Sequence, residues 1–484
     1  MATVSRANQT KLGANRMVQL MGQWTNRDGP IYNQIANRIV DLVQDASLRP
    51  GDQLPPERAL ASALSVSRGT VVRAFEQLAA AAVVERIQGS GTVVAGRPVT
   101  TDHSGQEFVG ERLWMNEGAA VDLLKAIPMM LPEVRELVTS IDLAPHAQDL
   151  DGAEPLGWWR LREWIAALHS RQGLPTTPHQ ILVTSGAQQA ILLAVSTMAR
   201  PGDVVLGEAH TWPGFIDTVQ HIGARYEPVQ LDQRGVVIDD LETKIDRFRP
   251  SLMVFNPQHQ NPTGSRLPPD RVEAVAALAK RYRIPVVEDR VAADLGFDRL
   301  HLPAIDEFDT GGYGITIGSI CKVAWPGLRL GWLRADAQII NRMRSLKSVA
   351  DMFTPAVSQL LGLAIVDRYE EFVEARLKVL RPAADLVTNT IRVELPEWQP
   401  SPLRGGLCLW NTLPDGVSAT AFVQHAGRCG VLIASGQQFS SVDGDSANIR
   451  IPYTAPLDEI AEGLRRLVDA WRTFNHQPTP ETVI

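Results

Sequence analysis

Residues 319–332 read SICKVAWPGLRLGW and set Lys322 seven positions ahead of Arg329, which lies in a proline-glycine turn. A lysine kept for solubility could sit anywhere on a helix face. This one follows an apolar run that ends in glycine, and an arginine is held at a fixed distance beyond it. Ser185, Gly186 and Ala187, in SGAQQ, open a helical pattern whose free backbone amides would make a phosphate seat. Asp289 ends the apolar run IPVVED.

The elements that must position these residues follow from periodicity. From about residue 180, β-like runs (ILVT, DVVLGE, LMVFN, IPVVED, GITIGSI) alternate with helical patterns. That alternation predicts an α/β unit with a largely parallel sheet covered by helices. Ligands of such sheets bind at the turns beyond the strand ends, and the residues above all fall on those turns.

The first hundred residues have a different texture. Residues 1–27 hold Arg6, Lys11, Arg16 and Arg27 and no acid, which reads as a flexible basic tail. From residue 28 to 96 the pattern is a winged helix-turn-helix. Ile31, Ile35, Ile39 and Leu42 repeat at helical spacing up to LRPGDQLPP. A second helix is expected near 57–64, a third near 68–80, and two short β runs flank QGSG. On the third helix Val71, Phe75 and Leu78 form the apolar stripe, and Ser67 stands at the N-cap. Arg68, Thr70 and Arg73 are left off the stripe, near the helix start that enters a major groove in such motifs. Residues 28–97 contain seven Lys/Arg and seven Asp/Glu, so DNA binding here is a matter of placement rather than bulk charge.

At 484 residues the chain is too long for one core. Its 44% hydrophobic and 21% charged residues are ordinary for a globular protein, and its net charge of -7 does not advertise a nucleic-acid partner. Cys321, Cys408 and Cys429 form no metal-ligand spacing and read as reduced thiols. No apolar run approaches the ~18 residues that span a bilayer. The first residues lack the apolar core of a secretory signal, so a cytoplasmic protein with no membrane partner is expected. Residues 97–120 read as a linker and 476–484 as a tail, with a large domain over 121–375 and a small one over 376–475.

Two resemblances organise these observations. The stretch PIYNQIANRI…LRPGDQLPPERALASALSVSRGTVVRAFEQL…GSGTVV resembles the GntR-type DNA-binding domain. It implies that Arg58, Ser67, Arg68, Thr70 and Arg73 meet DNA, with Gln88 and Gly89 at the wing tip. From about 121 to 472 the motifs PLGWWRLREWIA, TSGAQQA, TWPG, NPTG, VVED, SxxK…PGLRLGW and NIRIPY resemble fold type I aminotransferases. Their fold is a large α/β domain with a mostly parallel sheet plus a small α+β domain, and their cofactor is pyridoxal 5'-phosphate.

By that resemblance Lys322 forms the Schiff base and Asp289 pairs with the pyridine nitrogen, keeping the ring an electron sink. Arg329, Ser319 and the turn at Ser185, Gly186 and Ala187 hold the phosphate. Asn261 bonds the ring hydroxyl, Trp212 stacks on the ring, and Arg450 matches the arginine that binds a substrate carboxylate. The two parts in this order resemble the MocR-type transcription regulators. That plan implies a homodimer on double-stranded operator DNA, with pyridoxal phosphate and an amino compound or B6 vitamer as effector.

Three departures from the enzyme pattern point away from turnover. The place of the tyrosine three residues after the aspartate is Ala292, and the two-residue spacing gives Val291. The tyrosine that reaches the partner's phosphate falls at Gly152, and the serine before the lysine is Cys321. A sensing rather than catalytic role for Lys322 is therefore expected. The alternative is an active aminotransferase that carries a DNA-binding domain.

Overall fold

The structure is a computed structural model. It describes residues 11–22, 24–25, 30–44, 47–81, 83–87, 91–95, 120–142, 144–146, 154–442, 444 and 446–474.

Four helices and a hairpin form the first unit: α1 (Ala14–Met21), α2 (Ile31–Gln44), α3 (Glu57–Ala63), α4 (Arg68–Ala80), β1 (Val84–Ile87) and β2 (Gly91–Val94). Antiparallel β1 and β2 are the wing. Ile35, Ile39 and Leu42 of α2 meet Val71, Phe75 and Leu78 of α4 in one core, while Ile31 stays exposed at the helix start. Ser67 caps α4, its Oγ accepting from the Thr70 amide at 3.2 Å. Such a cap is worth about 1 kcal/mol.

The flexible basic tail expected over 1–27 is corrected in its described part. Met17, Val18, Leu20 and Met21 of α1, and Trp24 beyond it, are buried in the same core. The apolar face spans only about two helical turns, beside Lys11 and Arg16, too short for periodicity alone to mark a packed helix. Residues 96–119 and 475–484, which take in nearly all of the expected linker and tail, lie outside the described residues, as do Gln88, Gly89 and Gly152.

The second unit begins at β3 (Val121–Asp122), followed by α5 (Pro132–Ser140) and α6 (Trp159–Arg171). Then come β4 (Ile181–Thr184), α7 (Ala187–Met198), β5 (Val204–Glu208), α8 (Pro213–His221) and β6 (Arg225–Val229). A small hairpin, β7 (Leu231–Asp232) and β8 (Gly235–Val236), leads to α9 (Ile238–Phe248). Next are β9 (Leu252–Phe255), α10 (Pro269–Tyr282), β10 (Val286–Asp289), β11 (Gly314–Ser319) and β12 (Gly331–Arg334). The large sheet runs β4-β12-β11-β10-β9-β5-β6. Strands β4, β9, β10 and β11 are buried throughout, as expected of a sheet covered on both faces.

All neighbours in that sheet are parallel except β12, which runs antiparallel to both β11 and β4. Gly331 stands opposite both Ser319 and Thr184, so β12 starts where β11 and β4 end. The chain from 320 to 330 therefore folds back over one edge of the sheet. This is why Lys322 and Arg329 share that edge with the turn after β4.

Helices α11 (Ala337–Ala350), α12 (Ala356–Asp367) and α13 (Tyr369–Glu394) lead to the small domain. The division expected between residues 375 and 376 falls inside α13, which is continuous. The remaining elements are β13 (Gln399–Pro400), β14 (Cys408–Thr412), α14 (Ala419–Arg428), β15 (Val431–Leu432), β16 (Ala434–Ser435), β17 (Asn448–Pro452) and α15 (Leu457–Thr473). The order β13-β14-β17-β16 makes a four-stranded sheet, and β3 pairs with β15. Residues 121–122 thus join the small domain although they precede the large one in sequence. Among the described residues no helix is long and apolar enough to cross a membrane.

Candidate functional site

A cavity of about 870 Å³ opens at the strand ends of the large sheet. Its wall includes Lys322, Asp289, Asn261, Trp212, Ala187, Ser319, Arg329 and Arg450. Ser185 and Gly186 stand behind the wall, against Arg329. The sequence-expected residues from five separate turns are thereby brought together.

Lys322 follows β11, and its Nζ donates to the Ala126 carbonyl at 2.8 Å. Burial lowers its pKa to about 8, with the Arg450 and Arg329 charges pushing the same way and Asp289 opposing them. Near neutral pH about a tenth of the amine is then uncharged, far more than for an ordinary lysine. Asp289 closes β10 and is 4% exposed. Its Oδ1 accepts from the Val291 amide at 3.0 Å, and burial raises its pKa to about 6. A cationic ring nitrogen beside it would reverse that rise.

The side of the cavity at the start of α7 is built by close approach. Gly186 caps α7 with φ +93, and a Cβ there would lie 2.8 Å from Arg329 Nη2. Arg329 donates from the same Nη2 to the Ser185 carbonyl at 3.1 Å. The guanidinium thus sits over the free amides of α7, two anion-seeking features in one place. Ser319 lines the cavity, but its Oγ donates to the Leu330 carbonyl at 2.8 Å and accepts the Cys321 amide at 3.1 Å. Cys321 also meets Leu330, its Sγ accepting from the Leu330 amide at 3.3 Å. These bonds hold the 320–330 return in shape.

Arg450, on β17, is 1% exposed. Its Nη1 donates to Asn261 Oδ1 at 2.9 Å, its Nη2 donates to the Leu124 carbonyl, and its Cζ lies 4.5 Å from the centre of the Phe439 ring. Its Nε has no hydrogen-bond partner, an uncommon state for a buried donor. Trp212 lines the cavity with its Nε1 donating to Gln188 Oε1 at 2.8 Å.

Other residues of the site were not anticipated. Leu124, Lys125, Ala126 and Ile127 form part of the wall, as do Gln188, Asn256, His259 and Cys408. Gln188 lies in the quoted SGAQQ turn and Asn256 at the end of the run LMVFN, so both had a signal. Residues 124–127 had none, because the β3–β15 pairing and bonds from residues far along the chain carry them to the cavity. Glu208, at the end of β5, is 1% exposed and accepts from Thr211 Oγ1 at 3.0 Å and the Asn256 amide at 3.1 Å. Burial pushes its pKa up to about 8. Ala292 and Val291 line the cavity without any side-chain donor.

On the first unit Arg58, Ser67, Arg68 and Arg73 are exposed and Thr70 is half-buried. Glu57 joins two basic residues across this face: Arg68 at 3.5 Å and Arg86 of the wing strand β1 at 3.0 Å. Arg86 was not anticipated, because its place beside α3 depends on the wing's packing.

The cavity's donor set fits pyridoxal phosphate: an amine of lowered pKa, a buried carboxylate, a glycine turn under an arginine, and an orphaned guanidinium nitrogen. Among the described residues no cluster of three His, Cys, Asp or Glu side chains could hold a metal ion.

The fold and cavity define a protein of the aminotransferase type that carries a winged helix ahead of it. Residues 155–467 match the family "Aminotransferase class I and II", to which the chain belongs, and residues 31–94 match "Bacterial regulatory proteins, gntR family". Two relatives share both parts. The uncharacterized HTH-type transcriptional regulator YdfD of Bacillus subtilis is 24% identical, over 90% of this chain and 95% of its own length. The HTH-type transcriptional regulator TauR of Rhodobacter capsulatus is 26% identical, over 92% of this chain and 97% of its own. Among solved structures, the α-aminoadipate aminotransferase LysN of Thermus thermophilus, complexed with N-(5'-phosphopyridoxyl)-L-leucine, superposes with TM-score 0.67. It is 27% identical, covering 73% of this chain and 92% of that one. The order of the two units is the one expected of MocR-type regulators.

Proposed function

We propose that this chain is a DNA-binding transcriptional regulator whose aminotransferase-like domain takes up pyridoxal 5'-phosphate at Lys322 and reports its state to the winged helix. The carrying observation is the gathering of Lys322, Asp289, Arg329 and Arg450 round one cavity, in a chain whose winged helix leaves Arg58, Arg68 and Arg73 exposed. The cofactor supplies an aldehyde that condenses with primary amines. The protein's own groups would hold it: Arg329 and the α7 amides at the phosphate, Asp289 at the ring nitrogen, Asn261 at the ring hydroxyl. Arg450, with an unused Nε, suits the carboxylate of an amino-compound effector.

The protein acts as a homodimer in the cytoplasm, with two winged helices reading two half-sites. In support, Val349, Met352 and Val357 leave an apolar patch on α11, α12 and their connection, with Val349 86% exposed. It is a sensor rather than an enzyme, because the hydroxyl that would assist the ring oxygen is replaced by Ala292 and Val291. The second reading, an aminotransferase with an attached DNA-binding domain, is favoured by the likeness to LysN.

One experiment separates them. Purified protein is mixed with the cofactor, and absorbance near about 420 nm is recorded together with retention of its own upstream DNA. The regulator reading requires colour that Lys322→Ala abolishes, and DNA retention that changes with the cofactor. Sustained amino transfer to a 2-oxo acid without DNA retention would favour the enzyme.

A further inference from the structure

Three successive backbone carbonyls, at Leu124, Lys125 and Ala126, are held across the cavity by Arg450, Thr454 and Lys322. Arg450 Nη2 donates to Leu124, Thr454 Oγ1 to Lys125 at 3.1 Å, and Lys322 Nζ to Ala126 at 2.8 Å. Two of the three donors are the cavity's own cations. A ligand that takes the Lys322 amine, or draws Arg450 Nη2 toward itself, takes that donor from this strip.

The same strip is stitched to the small domain a few residues earlier. The Val121 amide donates to the Gly430 carbonyl at 3.0 Å and the Leu123 amide to Leu432 at 2.9 Å. Two residues before Gly430, at the end of α14, Arg428 reaches the DNA-reading unit. Its Nη1 donates to the Leu64 carbonyl at 2.9 Å and its Nη2 to Ser65 at 3.1 Å. Leu64 caps the C-terminal end of α3, and Ser65, with φ +52, turns the chain toward α4. An arginine there satisfies carbonyls that the helix end leaves open and suits the negative end of the helix dipole. One turn earlier on α14, Gln424 Oε1 accepts from Trp24 Nε1 at 2.9 Å.

The seam is not a packed one. A cavity of about 420 Å³ lies between the units, lined by Thr25, Ile31 and Gln34 on one side and Ala120, Arg428 and Arg466 on the other. A few polar bonds around a gap give a contact that a modest free-energy change can reset.

We propose that residues 121–127 are a relay strap. The cavity's cations hold its carbonyls, and its β3 end is fixed beside the Arg428 latch that grips the turn of the helix-turn-helix. Ligand capture at Lys322 or Arg450 frees the strap, loosens the β3–β15 stitch and lets the latch release. This rests on the reading that the cavity takes pyridoxal phosphate. The strap is the two-state element that such coupling requires.

Hydrogen–deuterium exchange on the full-length protein, with pyridoxal phosphate as the probe, tests it. In wild type the cofactor should speed exchange over 121–127 and over 64–67 by about tenfold. Arg428→Ala should exchange fast over 64–67 before any cofactor is added, while the strap response and the uptake of colour stay. Thr454→Val should speed exchange over 121–127 before cofactor is added and, through the strap, raise it over 64–67 to a lesser degree; a loosened strap with 64–67 unmoved overturns the relay. A protein that takes up the colour with exchange over both segments unchanged or slowed overturns the relay. A protein that never colours overturns the reading of the cavity, and the relay falls with it.

Discussion

Arg329 occupies the space that a side chain at Gly186 would need: a Cβ there would stand 2.8 Å from its Nη2. Gly186 also has φ +93, which disfavours any other residue. Gly186→Ala should therefore displace the guanidinium from α7. Losing one charged contact to a phosphate should weaken pyridoxal phosphate binding roughly 10- to 100-fold. Equilibrium titration by absorbance checks this, and unchanged affinity would remove Arg329 from the phosphate seat.

Lys322 sets the pH dependence of cofactor uptake. Its pKa of about 8 means the amine is mostly protonated below that value and nucleophilic above it. The rate of colour development should climb as pH rises through about 8 and then level off. Stopped-flow measurements between pH 6 and 9 that gave a flat rate would contradict this.

The recognition face makes a prediction with two readouts. Arg68→Ala and Arg73→Ala should each cost about 1–3 kcal/mol of operator affinity if they read bases, and little of the salt dependence. Loss spread evenly over unrelated sequences, with a shallower salt slope, would assign them to phosphates instead. Glu57→Gln, which releases both Arg68 and Arg86, should change specificity more than affinity.

His169 links stability to pH. It is buried on α6, where its Nε2 accepts from Trp332 Nε1 at 2.9 Å, and burial lowers its pKa to about 3. The unfolded chain binds a proton near pH 6.5 and the folded one does not, so stability is full above 6.5 and declines as pH falls. Between pH 7 and pH 5 this site should cost about 2 kcal/mol. His169→Gln should lose that dependence, so its stability gap to wild type should narrow by this amount over the same range. Denaturant melts of both proteins at the two pH values decide it.

Much of this was legible in the sequence because the local patterns agree with the tertiary answer. The stripe of Val71, Phe75 and Leu78 packs as its spacing requires, and α4 spans Arg68–Ala80 as expected. The strands of the large sheet are continuous apolar runs, so the turns that carry Lys322, Asp289 and Gly186 could be located without knowing the strand order. What could not be read was long-range. Strand β12 inserts between β4 and β11 against the parallel grain, and nothing local announces it. Residues 124–127 reach the cavity through long-range contacts alone: a two-residue pairing with a strand more than three hundred positions later, and bonds from Arg450, Thr454 and Lys322. In α1, Met17, Val18 and Met21 are too few for helical spacing to stand out, and their burial depends on contacts with α2 and α3.

That first helix bears on how the reading head could be transplanted. The family match begins at residue 31, yet Met17, Val18, Leu20, Met21 and Trp24 are sealed into the same interior. A graft cut at the family boundary would leave a greasy wound on α2 and α3, and chimeras built on this scaffold should keep the chain from at least residue 11.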